Sequence, residues 1–295
     1  MDKKELRLRR SARKDSIKIE KLANEYNFQI VSRYFEDIEY DEEFTKIAVD
    51  KEGNVIGGCI GEIYAWGVLY VDTLWVDEKY RGKDIGSNLI KAVEDVGREK
   101  GCYLCFVGTL DVQARPFYEK QGYKLFGTMK DTPKGHEDYG LYKQLDVETS
   151  SKKCKKIDYE IKDGNEEQSE YVDDKLEEYN LTKIPNSKHD YIKINRKFVD
   201  KDGKLVAGIM AGVSSWDIGW VWTIWVEEPY RNNGLGSALL SHFEKQAKAK
   251  GATVVEIVSV FDWQIDFFLK NGYEIGQKLD NFPKGHTFYV IKKDL

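Results

Sequence analysis

The sequence predicts an α/β (α+β) protein built from two tandem copies of one domain, each a mostly antiparallel mixed sheet flanked by helices. Two observations lead to this prediction. Residues Leu74–Ala92 are similar in sequence to Ile224–His242, which lie 150 residues later, and this spacing persists without a gap over a long span. Within each copy, strand-like and helix-like runs follow one another in the same order. A chain of 295 residues has room for two such domains.

The repeat sets the expected domain boundaries. The first copy is expected over residues 1–146, with a basic tail at 1–14, and the second over residues 157–295. Residues 147–156 are polar and include Thr149-Ser150-Ser151, which is typical of a linker. Further pairs at the same spacing are Gly58 and Gly208, Trp66 and Trp216, Gly122-Tyr123 and Gly272-Tyr273, and the Pro-Lys-Gly-His runs 133–136 and 283–286.

Each copy is expected to open with a short strand, at Ile17–Glu20 and at Tyr159–Ile161. A helix follows, clearest at Glu166–Tyr179. A hairpin comes next, with turns at Asp50–Gly53 and Asp200–Gly203, because Asp and Gly tolerate the backbone angles that tight turns need.

The middle of each copy has the strongest patterns. Aromatic and β-branched residues predict strands at Val68–Val76 and Ile218–Val226. Apolar residues at three- and four-residue spacing predict helices at Ile85–Lys100 and Leu235–Lys250, and Gly101 and Gly251 fit left-handed C-terminal caps. The remaining predictions are strands at Tyr103–Thr109 and Thr253–Ser259, short helices at Arg115–Gln121 and Ile265–Asn271, and a closing hairpin in each copy.

Composition argues against several classes of protein. The formal net charge of -5 does not suggest a nucleic-acid partner. No run approaches the roughly 18 apolar residues of a membrane-spanning helix, so a cytoplasmic protein with no membrane partner is expected. The seven basic residues of the 1–14 segment lack interleaved aromatic residues, and a solvated, partly helical tail is expected there. Cys102 and Cys105 have the spacing of a metal or redox pair, but no second pair or nearby histidine accompanies them, so no metal is expected.

A strand that opens through a small-residue loop into a helix occurs in both copies. Residues 81–86 are Arg-Gly-Lys-Asp-Ile-Gly and residues 231–236 are Arg-Asn-Asn-Gly-Leu-Gly. Such a loop directs several backbone N–H groups and the positive end of the helix towards one point. The sequence therefore predicts two phosphate-binding loops.

Downstream of the first loop is the run Phe-Tyr-Glu-Lys-Gln-Gly-Tyr at 117–123, and the loop and this downstream run both recur in the second half. Together these features resemble the GCN5-related N-acetyltransferase (GNAT) superfamily, and the resemblance occurs once in each half of the chain. The resemblance implies an N-acetyltransferase that uses acetyl-CoA as co-substrate and transfers the acetyl group directly to an amine. It also implies that the loop holds the coenzyme A pyrophosphate and that the preceding strand binds the pantetheine arm. The coenzyme-binding residues that follow are Leu74, Trp75, Val76, Arg81, Gly82, Lys83, Asp84, Ile85, Gly86 and Ser87 in the first half, and Ile224, Trp225, Val226, Arg231, Asn232, Asn233, Gly234, Leu235, Gly236 and Ser237 in the second.

The two copies differ in the residues that would carry the chemistry. Tyr118 stands where the family commonly has the tyrosine that protonates the departing thiolate, and the second copy has Phe268 there. Asp72 occupies a strand position where the family often has a carboxylate, and its counterpart is Trp222. Asp84 replaces a glycine of the first loop, where its charge would repel a pyrophosphate and weaken the site. The first half thus has the acid and base candidates, and the second has the complete loop.

The prediction is N-acetylation catalysed in the first half by Tyr118 and Asp72, with Glu62 and Tyr70 as rival proton acceptors. The first alternative is catalysis in the second half with water-mediated proton transfer, and the second is a non-catalytic acyl-CoA sensor. The acceptor is left open among small-molecule and peptide amines. A monomer whose two halves form a pseudo-dimer is expected, and His136 and His286 are interpreted as parts of closing-hairpin turns.

Overall fold

The computed structural model describes residues 6–146, 158–187 and 189–295, so the expected linker lies outside the described residues. Over residues 6–146 the chain alternates strands and helices in nearly the predicted order. The elements are β1 (Arg7–Arg10), α1 (Arg13–Ile30), β2 (Asp41–Val49), β3 (Val55–Tyr64), β4 (Val68–Val76), α2 (Ile85–Lys100), β5 (Leu104–Leu110), α3 (Arg115–Lys120), β6 (Lys124–Lys130) and β7 (Glu137–Gln144).

The second half repeats this order with an extra two-residue strand. Its elements are β8 (Glu160–Asp163), α4 (Glu166–Lys183), β9 (Ile192–Lys193), β10 (Arg196–Val199), β11 (Leu205–Val213), β12 (Ile218–Val226), α5 (Leu235–Ala249), β13 (Val254–Phe261), α6 (Ile265–Lys270), β14 (Glu274–Asp280) and β15 (Thr287–Asp294). The predicted mixed α/β class is confirmed, and β4, β12 and α2 have the predicted bounds.

The start of the chain differs from the prediction. Residues Ile17–Glu20 are not a strand but lie inside α1. The alternation of Ile17 and Ile19 with charged residues suggested a strand, but only Ile19 is buried and Ile17 is 57% exposed. The range Arg7–Arg10, with three arginines, forms β1 and Arg13 opens α1, so the described part of the 1–14 segment is not a tail.

One continuous sheet runs through both halves. Its strand order is β1-β10-β11-β12-β13-β15-β14-β6-β7-β5-β4-β3-β2-β8, with β9 paired to β11. The halves meet where Gln277 of β14 pairs with Gly127 of β6. These two residues are themselves 150 apart, so an approximate two-fold axis passes between them. An apolar cluster shared by the halves, including Phe106, Met129 and Phe282, packs beside this junction.

The first strand and helix of each half pack on the other half. β1 pairs with β10, and β8 pairs with β2. Leu6 and Leu8 pack against the core of the second half, and Tyr159 and Ile161 pack against the core of the first. Each half is therefore completed by an element that the other half supplies, which buries apolar surface between them.

Two strand glycines make room for the exchanged helices. A β-carbon at Gly58 of β3 would overlap Val172 of α4, and one at Gly208 of β11 would overlap Ile19 of α1. Both helix side chains are fully buried. Gly58 and Gly208 are 150 apart, so the same close helix–sheet contact occurs once in each half.

Replacing Gly58 with alanine should destabilise the protein by about 1–3 kcal/mol, because the added methyl group overpacks the contact with the stiff Val172 side chain. Urea unfolding followed by circular dichroism would measure the loss. Gly108→Ala is the matched control, since a β-carbon at this strand position would lie 3.7 Å from its nearest neighbour, the Asp138 Oδ1 atom. Equal stability of the two variants would contradict tight docking of α4.

None of the helices in the described part of the chain is long and apolar enough to span a membrane.

Candidate coenzyme and acceptor clefts

In each half, two parallel strands separate part-way along their length. β4 pairs with β5 only from Val68 to Val71, and β12 pairs with β13 only from Ile218 to Trp220. Beyond these points the facing edges of β4 and β12 have backbone groups that no neighbouring strand uses. Each opening is a cleft that can accept an extended ligand through main-chain hydrogen bonds.

A β-bulge lies where each cleft begins. Ile60 and Gly61 of β3 pair with Thr73 and Val71 of β4, which leaves Asp72 as the extra residue. The same break between Met210 and Ala211 leaves Trp222 as the extra residue of β12. Bulges redirect a side chain and increase the local twist, so they explain both the splay and the placement of Asp72 and Trp222 at the clefts.

The predicted loops have nearly identical backbones. Asp84 and Gly234 both adopt left-handed angles, with φ of 63° and 80°, immediately before α2 and α5. Aspartate tolerates this conformation better than most residues, so Asp84 does not distort the first loop. Arg81 Nε donates to the Val76 carbonyl and Arg231 Nε to the Val226 carbonyl, both at 3.0 Å. The loops therefore differ in charge rather than in shape.

The second half has an open cleft, with a cavity of about 770 Å³. It extends from the β12 bulge to the loop before α5, and its walls include residues 221–226, residues 230–232, residues 234–237 and Phe268. The amides in the first turn of a helix lack partners within the helix, so those of Leu235, Gly236 and Ser237 are suited to an anion.

The opposite wall of this cleft comes from the first half. α1 contributes Glu20, Tyr26 and Asn27, and the ends of β2 and β3 contribute Asp41 and Tyr64. The Arg231 guanidinium lies 4.2 Å from the centre of the Tyr26 ring. Asn27 Oδ1 accepts from Trp263 Nε1 and Gln264 Nε2, each at 3.3 Å. The second cleft is thus a composite of both halves.

In the first half, α4 bridges the corresponding opening. The Arg81 guanidinium lies 5.1 Å from the Tyr179 ring centre, and the Tyr179 hydroxyl donates to the Val112 carbonyl at 3.2 Å. Gln113 Nε2 donates to Asn180 Oδ1 at 2.9 Å. These contacts tie the loop beside β4 to the segment after β5, across the mouth of the cleft.

Sequence reasoning missed these helix residues, although a signal was present. The tripeptide Glu-Tyr-Asn occurs at 25–27 and again at 178–180. The two tripeptides are 153 residues apart rather than 150, so they do not align at the fixed spacing of the repeat. In both copies the tyrosine ring lies by the loop arginine of the other half, and the asparagine accepts from a glutamine of the other half.

The structure does not bring the predicted acid Tyr118 to a described cavity. Tyr118 is 6% exposed and packs among Phe117, Tyr123 and other core side chains, and burial raises its pKa. Its counterpart Phe268 does line the second cleft. The role predicted for Tyr118 remains a prediction.

Asp72 faces a different cavity from the second cleft. This cavity has a volume of about 380 Å³, and its walls include residues of both halves. Its side chain is exposed to this cavity, and Asp72 Oδ2 accepts from the Thr73 hydroxyl at 3.3 Å. The surrounding protein removes water from the carboxylate and raises its pKa, and the nearby charge of Asp173 adds to this effect. Tyr70 lines the same cavity, and the lining does not reach the loop at 81–87.

Glu62, the rival proton acceptor, has a pKa raised from its ordinary value of 4.5 to about 7. Burial is the main cause and the charge of Asp72 the second, whereas a hydrogen bond from Tyr64 acts in the opposite direction. A carboxyl group that titrates near neutrality can exchange a proton with an amine.

Glu62 should make the protein less stable as the pH rises from about 4.5 to about 7, because the folded state binds the proton more tightly than the unfolded state in this window. Glu62→Gln removes the titration. We expect this variant to gain about 1–2 kcal/mol relative to the parent between pH 5 and pH 8, after allowance for solvent screening. Urea unfolding at both pH values measures the difference, with the exposed Glu99→Gln as control. A pH-independent difference would contradict the raised pKa.

His136 and His286 belong to hairpin turns, as the sequence indicated. His136 follows the turn between β6 and β7, and its Nδ1 lies 2.9 Å from Asp111 Oδ1. His286 stands at the same place between β14 and β15, with Nδ1 3.1 Å from Asp262. Asp111 and Asp262 are 151 apart, because a bulge at Ser259, with φ of 65°, adds a residue to β13.

Comparison with known proteins defines the class. A model of the Acetyltransferase (GNAT) family matches residues 14–123 and again residues 157–273. The chain is 39% identical to a blasticidin-S acetyltransferase of Streptomyces morookaense over 105 residues, 35% of this chain and 76% of the relative. It is 31% identical to the acetyltransferase Atu2258 of Agrobacterium fabrum over 36% of this chain and 78% of that protein. A crystal structure of an acetyltransferase from Bacillus cereus aligns at 32% identity with a TM-score of 0.42, covering 46% of this chain and 95% of that one.

The chain belongs to the GNAT family of acetyltransferases, with two copies of the family domain. The prediction of an N-acetyltransferase enzyme is confirmed, and members of this family use acetyl-CoA.

Proposed function

We propose that the protein transfers the acetyl group of acetyl-CoA to an amine in the second cleft, at the loop 231–236. The observation that carries this proposal is the cavity of about 770 Å³, which is continuous from the β12 bulge to the amides that open α5. This favours the first of the two alternatives that the sequence left open over catalysis in the first half.

In this proposal, the amides of Leu235, Gly236 and Ser237 bind the coenzyme pyrophosphate, because these groups and the helix dipole favour negative charge. Gly234 holds the left-handed turn without adding charge. The free edge of Ile224–Val226 binds the pantetheine arm, since β13 no longer pairs there. A backbone N–H on this edge polarises the thioester carbonyl, an effect of about 3–4 kcal/mol per donor in other enzymes.

The acceptor amine approaches from the wall supplied by the first half. Free amines are mostly protonated near neutral pH, so a proton must leave before attack. Glu20 and Asp41 are carboxylates in this wall and accept the proton directly or through water. The neutral nitrogen then attacks the thioester carbonyl and the C–S bond breaks. The nitrogen loses its second proton to water as the amide forms, and the departing thiolate takes up a proton from water, since Phe268 has no hydroxyl.

The acceptor class is a small-molecule amine in this proposal. The relative named for blasticidin-S supports it, as do the aromatic walls of the second cleft. The exchanged helices support a protein in which the two halves act as a built-in dimer.

Two measurements test the proposal. Acetyl-CoA at about 100 times its dissociation constant should stabilise the protein by about 2.7 kcal/mol, seen as a higher melting temperature. Release of free coenzyme A thiol across a panel of amines reports turnover. If saturating acetyl-CoA did not raise the melting temperature, the proposal would be wrong.

Catalysis in the first half remains the rival, with Asp72 as base and Tyr118 as acid. Asp72 lies at the bulge and faces a cavity, which favours it, whereas Tyr118 is enclosed in the core. We expect Tyr118→Phe to retain turnover within about twofold of the parent. A loss of about 100-fold or more in kcat, the usual contribution of a general acid, would move the reaction to the first half.

A further inference from the structure

The cavity of about 380 Å³ that Asp72 faces lies between the halves and is called here the inter-half cavity. Three of its wall residues are acids, Asp72 on β4, Asp138 on β7 and Glu256 on β13, and no described residue of its wall is basic. Aromatic side chains stand among them, including Tyr70 and Phe106. Carboxylates with aromatic faces are the groups that bind ammonium ions.

Glu256 has an unsatisfied side-chain oxygen in the wall of this cavity. The residue is 3% exposed, and its Oε2 atom has no hydrogen-bond partner among the described residues. Lys292 stands opposite it in the β13–β15 register, and the charge of Lys292 partly offsets the rise in the pKa of Glu256. The hydrogen bonds of Lys292 Nζ, however, go to the Lys130 carbonyl at 3.0 Å and to Asp294 Oδ1 at 3.4 Å. Leaving a buried carboxyl oxygen without a partner is costly, and an incoming cation would favour the ionised group and remove that cost.

The other two acids are held in place by neutral donors. Gln277 Nε2 donates to Asp138 Oδ2 at 3.2 Å, and burial raises the pKa of Asp138 to about 6. The single hydroxyl proton of Thr73 is shared between Asp72, at 3.3 Å, and Asp173, at 2.6 Å. No described contact of Asp72 or Asp138 neutralises its charge.

The repeat shows that the fold does not need these carboxylates. The positions 150 away from Asp72, Asp138 and Glu256 hold Trp222, Phe288 and Phe106. The same strands form around an aromatic ring in the other copy. The acids therefore belong to this cavity in particular and not to the domain in general.

The spacing of the acids points to an organic cation rather than a metal ion. The described residues contain no group of three His, Cys, Asp or Glu side chains that could hold one metal ion. The acids are instead distributed over strands of both halves. Separate ammonium groups on one flexible molecule match such a distribution.

We propose that the inter-half cavity binds a small organic polycation, an aliphatic amine with two or more ammonium groups. Tyr64, Val258 and Ser259 line both this cavity and the second cleft. An amine anchored at Glu256 and Asp138 therefore extends towards the second cleft. That the bound amine is also the acetyl acceptor rests on the proposed function, whereas its binding does not.

The test is isothermal titration of the full-length protein, without coenzyme, with putrescine and spermidine as probes. We expect one molecule of either amine to bind per chain and 1,4-butanediol, the neutral analogue of putrescine, not to bind.

Because burial and the charge of Asp138 raise the pKa of Glu256, binding should release protons, which titrations in buffers of different ionisation enthalpy detect. Glu256→Gln and Asp138→Asn should each weaken binding by about tenfold or more, as expected for loss of a charge-assisted hydrogen bond.

Glu99→Gln on the exposed face of α2 is the matched control and should bind like the parent. Circular dichroism melting confirms folding, and Glu256→Gln should not melt earlier than the parent, because glutamine has nearly the shape of the protonated acid that the raised pKa of Glu256 favours. No binding of either amine to the parent, or unchanged affinity in both cavity variants, would overturn the proposal. Acetyl-CoA is titrated separately, so a failure confined to the amines leaves the proposed function standing.

Discussion

Replacing Gly234 with aspartate is expected to weaken acetyl-CoA binding by roughly 30-fold. The substitution gives the second loop the residue that the first loop has at Asp84. A unit charge within about 7 Å of a phosphate, at an effective dielectric constant of about 20, costs about 2 kcal/mol. The backbone should not change, because Asp84 already adopts the left-handed conformation with φ of 63°. Isothermal titration with acetyl-CoA measures the effect.

Gly234→Asn separates charge from shape. Asparagine tolerates left-handed angles as aspartate does, and Asn232 in the same loop has φ of 59°. This variant should keep affinity within a few-fold of the parent. Equal losses in both variants would assign the effect to the loop backbone, and no loss in Gly234→Asp would place the pyrophosphate elsewhere.

Replacing Asn27 with alanine should raise the KM for acetyl-CoA about tenfold and destabilise the protein by about 1–3 kcal/mol. The change leaves Trp263 Nε1 and Gln264 Nε2 without their acceptor in the wall of the second cleft. It also loosens α1 beside Tyr26, whose ring supports Arg231. The residue lies in the first half of the chain, yet the effect is expected at the loop of the second. Steady-state kinetics and urea unfolding report the two quantities.

Asn180→Ala is the internal control, because Asn180 makes the matching contact with Gln113 in the first half. It should destabilise the protein without a change in KM for acetyl-CoA. A rise in KM for Asn180→Ala and not for Asn27→Ala would assign the coenzyme to the first half.

The sequence predicted the repeated domain and its central elements well, because their signals are local. The strand Val68–Val76, the helix Ile85–Lys100 and the two loops depend on periodicity and on glycine positions. Even the left-handed conformation of Asp84 follows from the glycine in the second copy.

The exchange of β1–α1 and β8–α4 between the halves was not predictable in this way. Which sheet edge a strand joins is decided by contacts distant in the sequence, such as Ile19 against Gly208 and Val172 against Gly58. The periodicity of apolar residues identifies the buried face of a helix but not the surface against which that face packs. Ile17–Glu20 was misassigned for a related reason, since a four-residue alternation fits a strand as well as one turn of a helix.

The candidate site was predicted only in part. Both loops and the bulge residue Asp72 were identified from sequence. The walls supplied by the opposite half were not, and neither was the inter-half cavity, because Asp138 and Glu256 come together only through the β14–β6 junction. Burial of Tyr118 likewise depends on core packing that a motif does not describe.

We expect acetyl-CoA to occupy the second cleft. Hydrogen–deuterium exchange of the full-length protein, with and without saturating acetyl-CoA, tests this binding site directly. Acetyl-CoA should slow exchange at the end of β12 and in the first turn of α5, residues 224–237, together with residues 20–28 of α1 on the opposite wall. Protection confined to residues 74–87 and α4, with no change at 224–237, would contradict it.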